Sequence, residues 1–388
     1  MISRRIAMPT LLRMVSMAIA VALLCNTAIA EPSTSLEEAL QTVQQIGPKG
    51  QGHQAAIPAL QIVSQQKAED LPNILAGMKG NNVLADNWIR GAVDAIAEKT
   101  LQSGASLPLT ELEEFLNDTS NSPRSRRLAF EWIIQADPEA RNRIVPVLID
   151  DPSLELRREA VSDRLQQAET AHAEDKKDAA IAMYRSSLDA ARDVDQIEIA
   201  TEKLRELGES VNLREHFGFI TDWYLIAPFD NTDQSGFDKA YPPEKSIELD
   251  ENYEGKEGTV SWQQHRTDNE YGLVNLNDAL GKHKGAIAYA VAYFESESAR
   301  PIDLRLGCIN ANKIWLNGQE LTANHVYHAG RGIDQYVGTG QLKKGTNVIL
   351  LKICQNEQTE SWAQDWEFQL RVCDGLGTAV LATNRPSE

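Results

Sequence analysis

The chain has 388 residues, of which 42% are hydrophobic, 24% charged and only 6% aromatic. That length allows two or three domains, and that apolar share fills ordinary cores, which excludes wholesale disorder. Asp+Glu 56 against Lys+Arg 38 gives a formal charge of −18, a surface that repels phosphate backbones and anionic lipid and sets nucleic acid aside as a partner.

Residues 1–30 read as an export signal. Arg4 and Arg5 supply a positive start, Met14 to Cys25 an apolar run, and Ala28-Ile29-Ala30 a small-x-small cleavage site before Glu31. Cys25 raises a lipid-anchored alternative, opposed by Leu24 where such processing wants a small side chain. No later stretch has the roughly 18 to 20 apolar residues that span a bilayer, so no transmembrane segment is expected. The expected location is therefore exported, periplasmic or extracellular. Past the leader stand Cys308, Cys354 and Cys373, an odd number in apolar, strand-like runs. Small buried core residues are favoured over one disulfide plus a free thiol. No CxxC or Cys/His spacing suggests zinc.

Residues 31–215 are rich in Ala, Leu, Glu, Gln and Arg, with apolar residues three and four apart, as in Ala56, Ala59, Leu60 and Val63. Short polar breaks (GPKGQG, KGNN, NDTSNSP) separate the runs, which predicts an α-hairpin array. The segment IVPVLIDDPSLELRREAVSDRL resembles a HEAT repeat, with Asp151, Arg157 and Ala160 in the matching places. The segment after it resembles a tetratricopeptide helix pair through Ala179, Ala182, Tyr184 and Leu188. Stacked helices of this kind bury one stripe each and leave a concave, here acidic, face for a protein partner.

Residues 216–388 change texture. Apolar runs of five to eight residues (AIAYAVAYFES, PIDLRLGC, TNVILLKICQ, WEFQLRVCD) alternate with Gly, Asn and Asp turns, and Asn317-Gly318 marks a tight hairpin. The fold class is thus multidomain α and β: an N-terminal α-hairpin array and a C-terminal antiparallel β-sandwich of jelly-roll type. The stretch from Ile220 to Ala379 resembles a galactose-binding-like, glycosidase sugar-binding type of sandwich in exported bacterial proteins. The residues carrying that resemblance are DWYLIAPFDN, GFDKAYPPE, AYAVAYF, ANKIWLNGQEL, LKKGTNVILLKI and WEFQLRV. Where the family pattern has an Asp-Asp turn before the KIWLNG strand, this chain has Asn310-Ala311-Asn312, which keeps turn geometry and loses two carboxylates.

No GxSxG, HExxH or Gly-rich phosphate loop occurs. Two carboxylates across a cleft would make a glycosidase, and the many acids leave that alternative open. Asp230, Asp233 and Asp238 form a Gly-containing acidic loop; the resemblance allows a structural calcium there, a solvated turn is the plainer reading, and no cofactor is expected. His325 and His328 read as solvated loop residues. Trp262, Trp315 and Trp366 alternate with strand neighbours and read as core. Trp362 differs, lying in the polar loop NEQTESWAQD where burial has no evident reason. The candidate ligand contacts are Trp362, Tyr327, Tyr336, Asn310 and Asn312. The expected function is an exported, non-catalytic binding protein whose sandwich contacts a glycan or polysaccharide and whose helices contact protein. The alternatives are an envelope scaffold without glycan ligand and a polysaccharide hydrolase or its accessory subunit.

Overall fold

The computed structural model describes residues 34–385, so the segment expected to be an export signal, with Cys25, lies outside the described residues. The chain divides into two compact units, Met1–Arg143 and Ile144–Glu388. The first is helical. Leu36–Val43, His53–Ser64, Leu71–Ala76, Val83–Gln102, Leu109–Asn117 and Pro123–Ala136 follow one another with short breaks. Helix starts are set by side chains that satisfy free amide hydrogens. Ser35 and Glu38 form a reciprocal capping box, and Asn82 and Ser122 accept from the backbone of Ala85 and Ser125. Two buried charges bind the breaks between helices. Asp86 accepts from the Gly80 amide at 3.0 Å, and Arg126 Nε donates to the Leu116 carbonyl at 2.6 Å.

The second unit begins with helices Leu154–Ala173, Lys177–Ala190, Val194–Glu206 and Leu213–Phe217. Arg157 donates to the carbonyls of Asp151 (2.8 Å) and Asp150 (2.9 Å), so it closes the turn that precedes its own helix. These helices share a core of Val161, Tyr184, Leu188, Ile197, Leu204, Phe217 and Phe219. The change from helix to strand near residue 215 therefore falls inside one compact unit.

Twelve strands follow among the described residues: β1 (Asp222–Asp230), β2 (Asn252–Gly255), β3 (Gly258–Ser261), β4 (Gln263–Arg266), β5 (Val274–Asn275), β6 (Ala286–Ser296), β7 (Arg300–Cys308), β8 (Ala311–Leu316), β9 (Gln319–Asn324), β10 (Tyr336–Leu342), β11 (Gly345–Gln355) and β12 (Glu367–Cys373). They form an antiparallel sandwich: six strands in the order β4-β1-β6-β11-β8-β9 against four in the order β10-β7-β12-β5, with β2-β3 a separate ribbon. From β5 onward successive strands cross between the sheets, except for the hairpin β8-β9, where Asn317 and Gly318 both take positive φ.

Period-two alternation decides which side chains meet. On β6, Ala286, Ala288, Ala290 and Ala292 face the inter-sheet core, opposite bulkier Leu304, Leu306, Phe368 and Leu370. The intervening Ile287, Tyr289 and Val291 face away, into a second core with Phe237, Tyr241, Trp262 and Trp315. Residues 231–262 thus cover the outer face of the large sheet, which is why its central strands are apolar on both sides. Trp262, Trp315 and Trp366 are buried, and so are the three thiols, which are unpaired. Burial pushes Cys308 and Cys354 up to about 12.

Under that cover lies a charged side chain that the strand pattern does not suggest. Lys352 is fully buried and donates to the carbonyls of Phe237 and Lys239 and to Glu244 Oε1, each at 2.9 Å. The Tyr289 hydroxyl donates to the same carboxylate, and burial followed by Glu244 holds that phenol far above its ordinary range. On the other side of the sandwich, buried Arg371 joins sheet to helices. It pairs with Asp334 and donates to the carbonyls of Phe217 (3.4 Å) and Gly377 (3.0 Å).

Two outcomes follow for unfolding experiments. Glu244→Ala leaves the Lys352 ammonium buried without its carboxylate and lowers stability by about 3–5 kcal/mol, whereas the double variant Glu244→Leu/Lys352→Met removes both charges, keeps volume and costs much less. Urea titrations of both variants check this, and equal losses would contradict it. His216, beside the Arg371 joint, is held down at about 4 by burial and then by Arg192. Its folded pKa is depressed, so its contribution is present above 6.5 and is lost as pH falls from about 6.5 towards 4. His216→Gln flattens that part of the stability–pH profile.

Candidate functional site

The loops at one end of the sandwich meet over a set of buried amides. Asn231, Asn310, Asn312 and Gln355 have no exposed surface, and Asn356 has 4%. Asn231 donates to the Gln355 carbonyl and to the Tyr327 hydroxyl, both at 3.0 Å, and accepts from the Gly236 amide at 3.2 Å. Asn310 donates to Gln355 Oε1 at 3.1 Å and accepts from the Glu367 amide at 3.3 Å. Asn312 donates to the Asn310 carbonyl and accepts from Asn324, both at 3.0 Å. These side chains supply both a donor and an acceptor where strands end and backbone groups lose their ladder partners.

Above them stands an aromatic and polar surface. Trp362, in the short turn Ser361–Ala363, is 59% exposed. The His328 ring stands across it, with centroids 4.9 Å apart and planes at 83°. His328 Nε2 lies 3.1 Å from Asn356 Nδ2, while its buried Nδ1 has no hydrogen-bond partner among the described residues. Tyr327, half-buried, has its phenol pushed up to about 12 by burial, which the hydrogen bond from Asn231 opposes. His325 stacks on Phe237 with centroids 4.2 Å apart. Beside this group a shallow depression of about 550 Å³ is lined by Gln234, Asn356, Glu357, Gln358, Thr359 and Glu360. The Asp233 amide donates to Glu357 Oε1 at 2.6 Å, which ties the acidic loop to the depression's wall.

The five candidates from the sequence separate into three groups. Trp362 and Tyr327 come to one surface, bridged by His328, whose ring is 6.4 Å from that of Tyr327. Asn310 and Asn312 lie underneath, fully buried, with their amides engaged internally. Tyr336 lies on β10, opposite Leu306, half-buried against the inter-sheet core, and burial raises its phenol. His328, which joins that surface, and Asn231 and Asn356, buried beneath it, were not among the sequence candidates. The HVYH, FDNTDQ and QNEQ runs contained them, but nothing in their local pattern shows that they meet.

The three aspartates of the acidic loop do not converge. Asp230 accepts from the Thr232 amide and hydroxyl at 3.1 and 2.7 Å, hydrogen bonds from Thr232 that hold its carboxyl below the usual range. Asp238 faces Lys313 at 3.4 Å. Among the described residues no group of three or more His, Cys, Asp or Glu side chains is placed to hold a metal ion, and no helix is long and apolar enough to cross a membrane.

The amides and the tryptophan differ in what their removal costs. Asn310→Ala removes a buried donor from Gln355 Oε1 and the side-chain acceptor of the Glu367 amide and costs about 1–3 kcal/mol. Trp362→Ala stays within about 0.5 kcal/mol of the parent protein, because that ring packs little. Thermal melts of both variants check the contrast; a Trp362→Ala loss as large as that of Asn310→Ala would contradict the placement.

No family model matches the chain, and no curated protein matches it. Solved structures with partial likeness include a family 35 carbohydrate binding module from Clostridium thermocellum, at 14% identity, covering 23% of this chain and 72% of that one, with a TM-score of 0.18. The Kluyveromyces marxianus β-glucosidase in complex with glucose shares 12% identity over 44% of this chain and 21% of its own, with a TM-score of 0.26. A β-glucuronidase from an uncultured Clostridium sp. shares 11% over 40% and 29%, with a TM-score of 0.25. Likeness at this level bears on neither ligand nor activity.

Proposed function

We propose that the sandwich of this chain binds polysaccharide without cleaving it, through Trp362 and the polar groups beside it. The observation that carries this reading is one large, exposed indole on a loop whose base is held by buried amides, next to a depression lined by amides, a hydroxyl and carboxylates. An aromatic ring takes the apolar face of a sugar, and amide and carboxylate groups grip its hydroxyls. The non-catalytic part of the reading is supported by the two carboxylates at the depression. Glu357 and Glu360 are exposed to water, without the apolar surroundings that fit a carboxyl for general acid work. In this reading the protein is exported and its helical repeats engage a protein partner. The exposed apolar side chains Ile57, Val83 and Leu84 of the first unit are a starting point for such contacts.

Native affinity electrophoresis of the full chain in gels holding different soluble polysaccharides tests the reading. At least one polysaccharide retards the parent protein, and Trp362→Ala weakens that retardation about tenfold while melting like the parent. Folded protein that runs unretarded in every gel contradicts glycan binding. Release of reducing sugar by the parent, abolished in Glu357→Gln, contradicts the non-catalytic part.

A further inference from the structure

Away from the Trp362 surface, where the helices and the sandwich of the second unit meet, a cavity of about 240 Å³ is lined by Arg192, His216, Arg371 and Thr378 among others. The chain carries a formal charge of −18, yet the charges of this cavity's inner wall are cationic. Arg192 follows helix Lys177–Ala190 and is held by short-range bonds. One terminal nitrogen donates to the carbonyls of Asp189 (2.8 Å) and Ala191 (2.7 Å), and the other to the Thr378 hydroxyl at 3.0 Å. Its Nε is buried and has no acceptor among the described residues. Burial, then the positive charges of Arg157 and Arg371, lower its pKa, with Asp374 and Asp150 acting the other way. Arg157 itself is 6% exposed and donates to three backbone carbonyls rather than to a carboxylate. Arg371 is committed to Asp334 and to the carbonyls of Phe217 and Gly377. The two acids on the lining, Asp189 and Glu215, are exposed to solvent.

We propose that this cavity binds a tetrahedral oxyanion, a phosphate or sulfate group, held by Arg192 Nε, the Thr378 hydroxyl and the His216 ring. A guanidinium presents fixed N–H directions that suit oxyanions, and a neighbouring hydroxyl and imidazole supply two further donors. A single water would satisfy Nε but would leave the repulsion of Arg192 by Arg157 and Arg371 offset only by Asp374 and Asp150. An anion removes both costs at once. The imidazole becomes a better donor when charged, so anion binding and His216 protonation favour one another.

The test uses the full chain with inorganic phosphate, inorganic sulfate and glucose 6-phosphate, against sodium chloride at matched ionic strength. Phosphate or sulfate raises the melting temperature saturably, and chloride does not. By NMR, the His216 midpoint, about 4 without the anion, moves up by roughly one unit at saturation. Arg192→Gln abolishes both effects. Should that variant fail to fold, Thr378→Val, which alters an exposed side chain, weakens phosphate binding about fivefold. A stronger response to glucose 6-phosphate than to phosphate assigns the site to an oxyanion carried on a saccharide, and an equal or weaker one assigns it to the free ion. The proposal is overturned if phosphate and sulfate act no better than chloride, or if Arg192→Gln responds like the parent. Neither result touches the Trp362 reading, since that surface is untouched by these variants.

Discussion

The candidate binding surface depends on one constraint: the amides of Asn231, Asn310, Asn312, Gln355 and Asn356 are buried at the strand ends and bonded to the loops above them. A loop that carries an exposed tryptophan has little apolar burial of its own to hold it in place. Here the holding is polar. Gln355 ends the central strand β11, so its side chain carries the order of the sheet into the turns around residues 310 and 365, and Asn231 carries it to Tyr327. The carboxamide is the side chain best suited to this, because it bridges a donor and an acceptor without bringing a charge into the interior. A Tyr327–His328–Trp362 surface held in this way is pre-formed, which spares a ligand the entropy of ordering it.

Two buried charges extend the same logic to the outer layers. Lys352 draws residues 237–244 onto the large sheet, giving its central strands apolar partners on both faces. Arg371 draws the helical layer and the loop at Asp334 onto the small sheet. Each charge is met by a carboxylate and by backbone carbonyls, and that is what makes a buried cation tolerable. With both sheets covered by the protein's own elements, ligand access shifts to the loop end and to gaps beside the covers. One such gap is the Arg192 cavity.

Much of this was legible from residue order. Helical spacing up to residue 215 and strand runs beyond it gave the α and β parts, Asn317-Gly318 gave its hairpin, and the polar setting of Trp362 agreed with its exposure. What local pattern could not show was pairing across long separations. Asn310 and Asn312 read as turn residues available to a ligand, because an asparagine looks alike whether its amide meets solvent or Gln355, 45 residues from Asn310. Lys352 interrupts the apolar run TNVILLKICQ, and its carboxylate partner is 108 residues away. His328 and Trp362 likewise meet only in three dimensions. The division into units was hidden for the same reason, since contacts made by Arg371 and Phe219 tie the last helices to the sandwich.

Hydrogen–deuterium exchange on the full chain, with and without the polysaccharide that retards it most in the gels, tests the central claim most directly. The account predicts added protection confined to the segments around residues 325–331 and 356–364, with peptides holding Asn231 and Asn310 already protected in the free protein. Protection appearing elsewhere, or free protein in which those amide-bearing peptides exchange as fast as exposed loops, would contradict it.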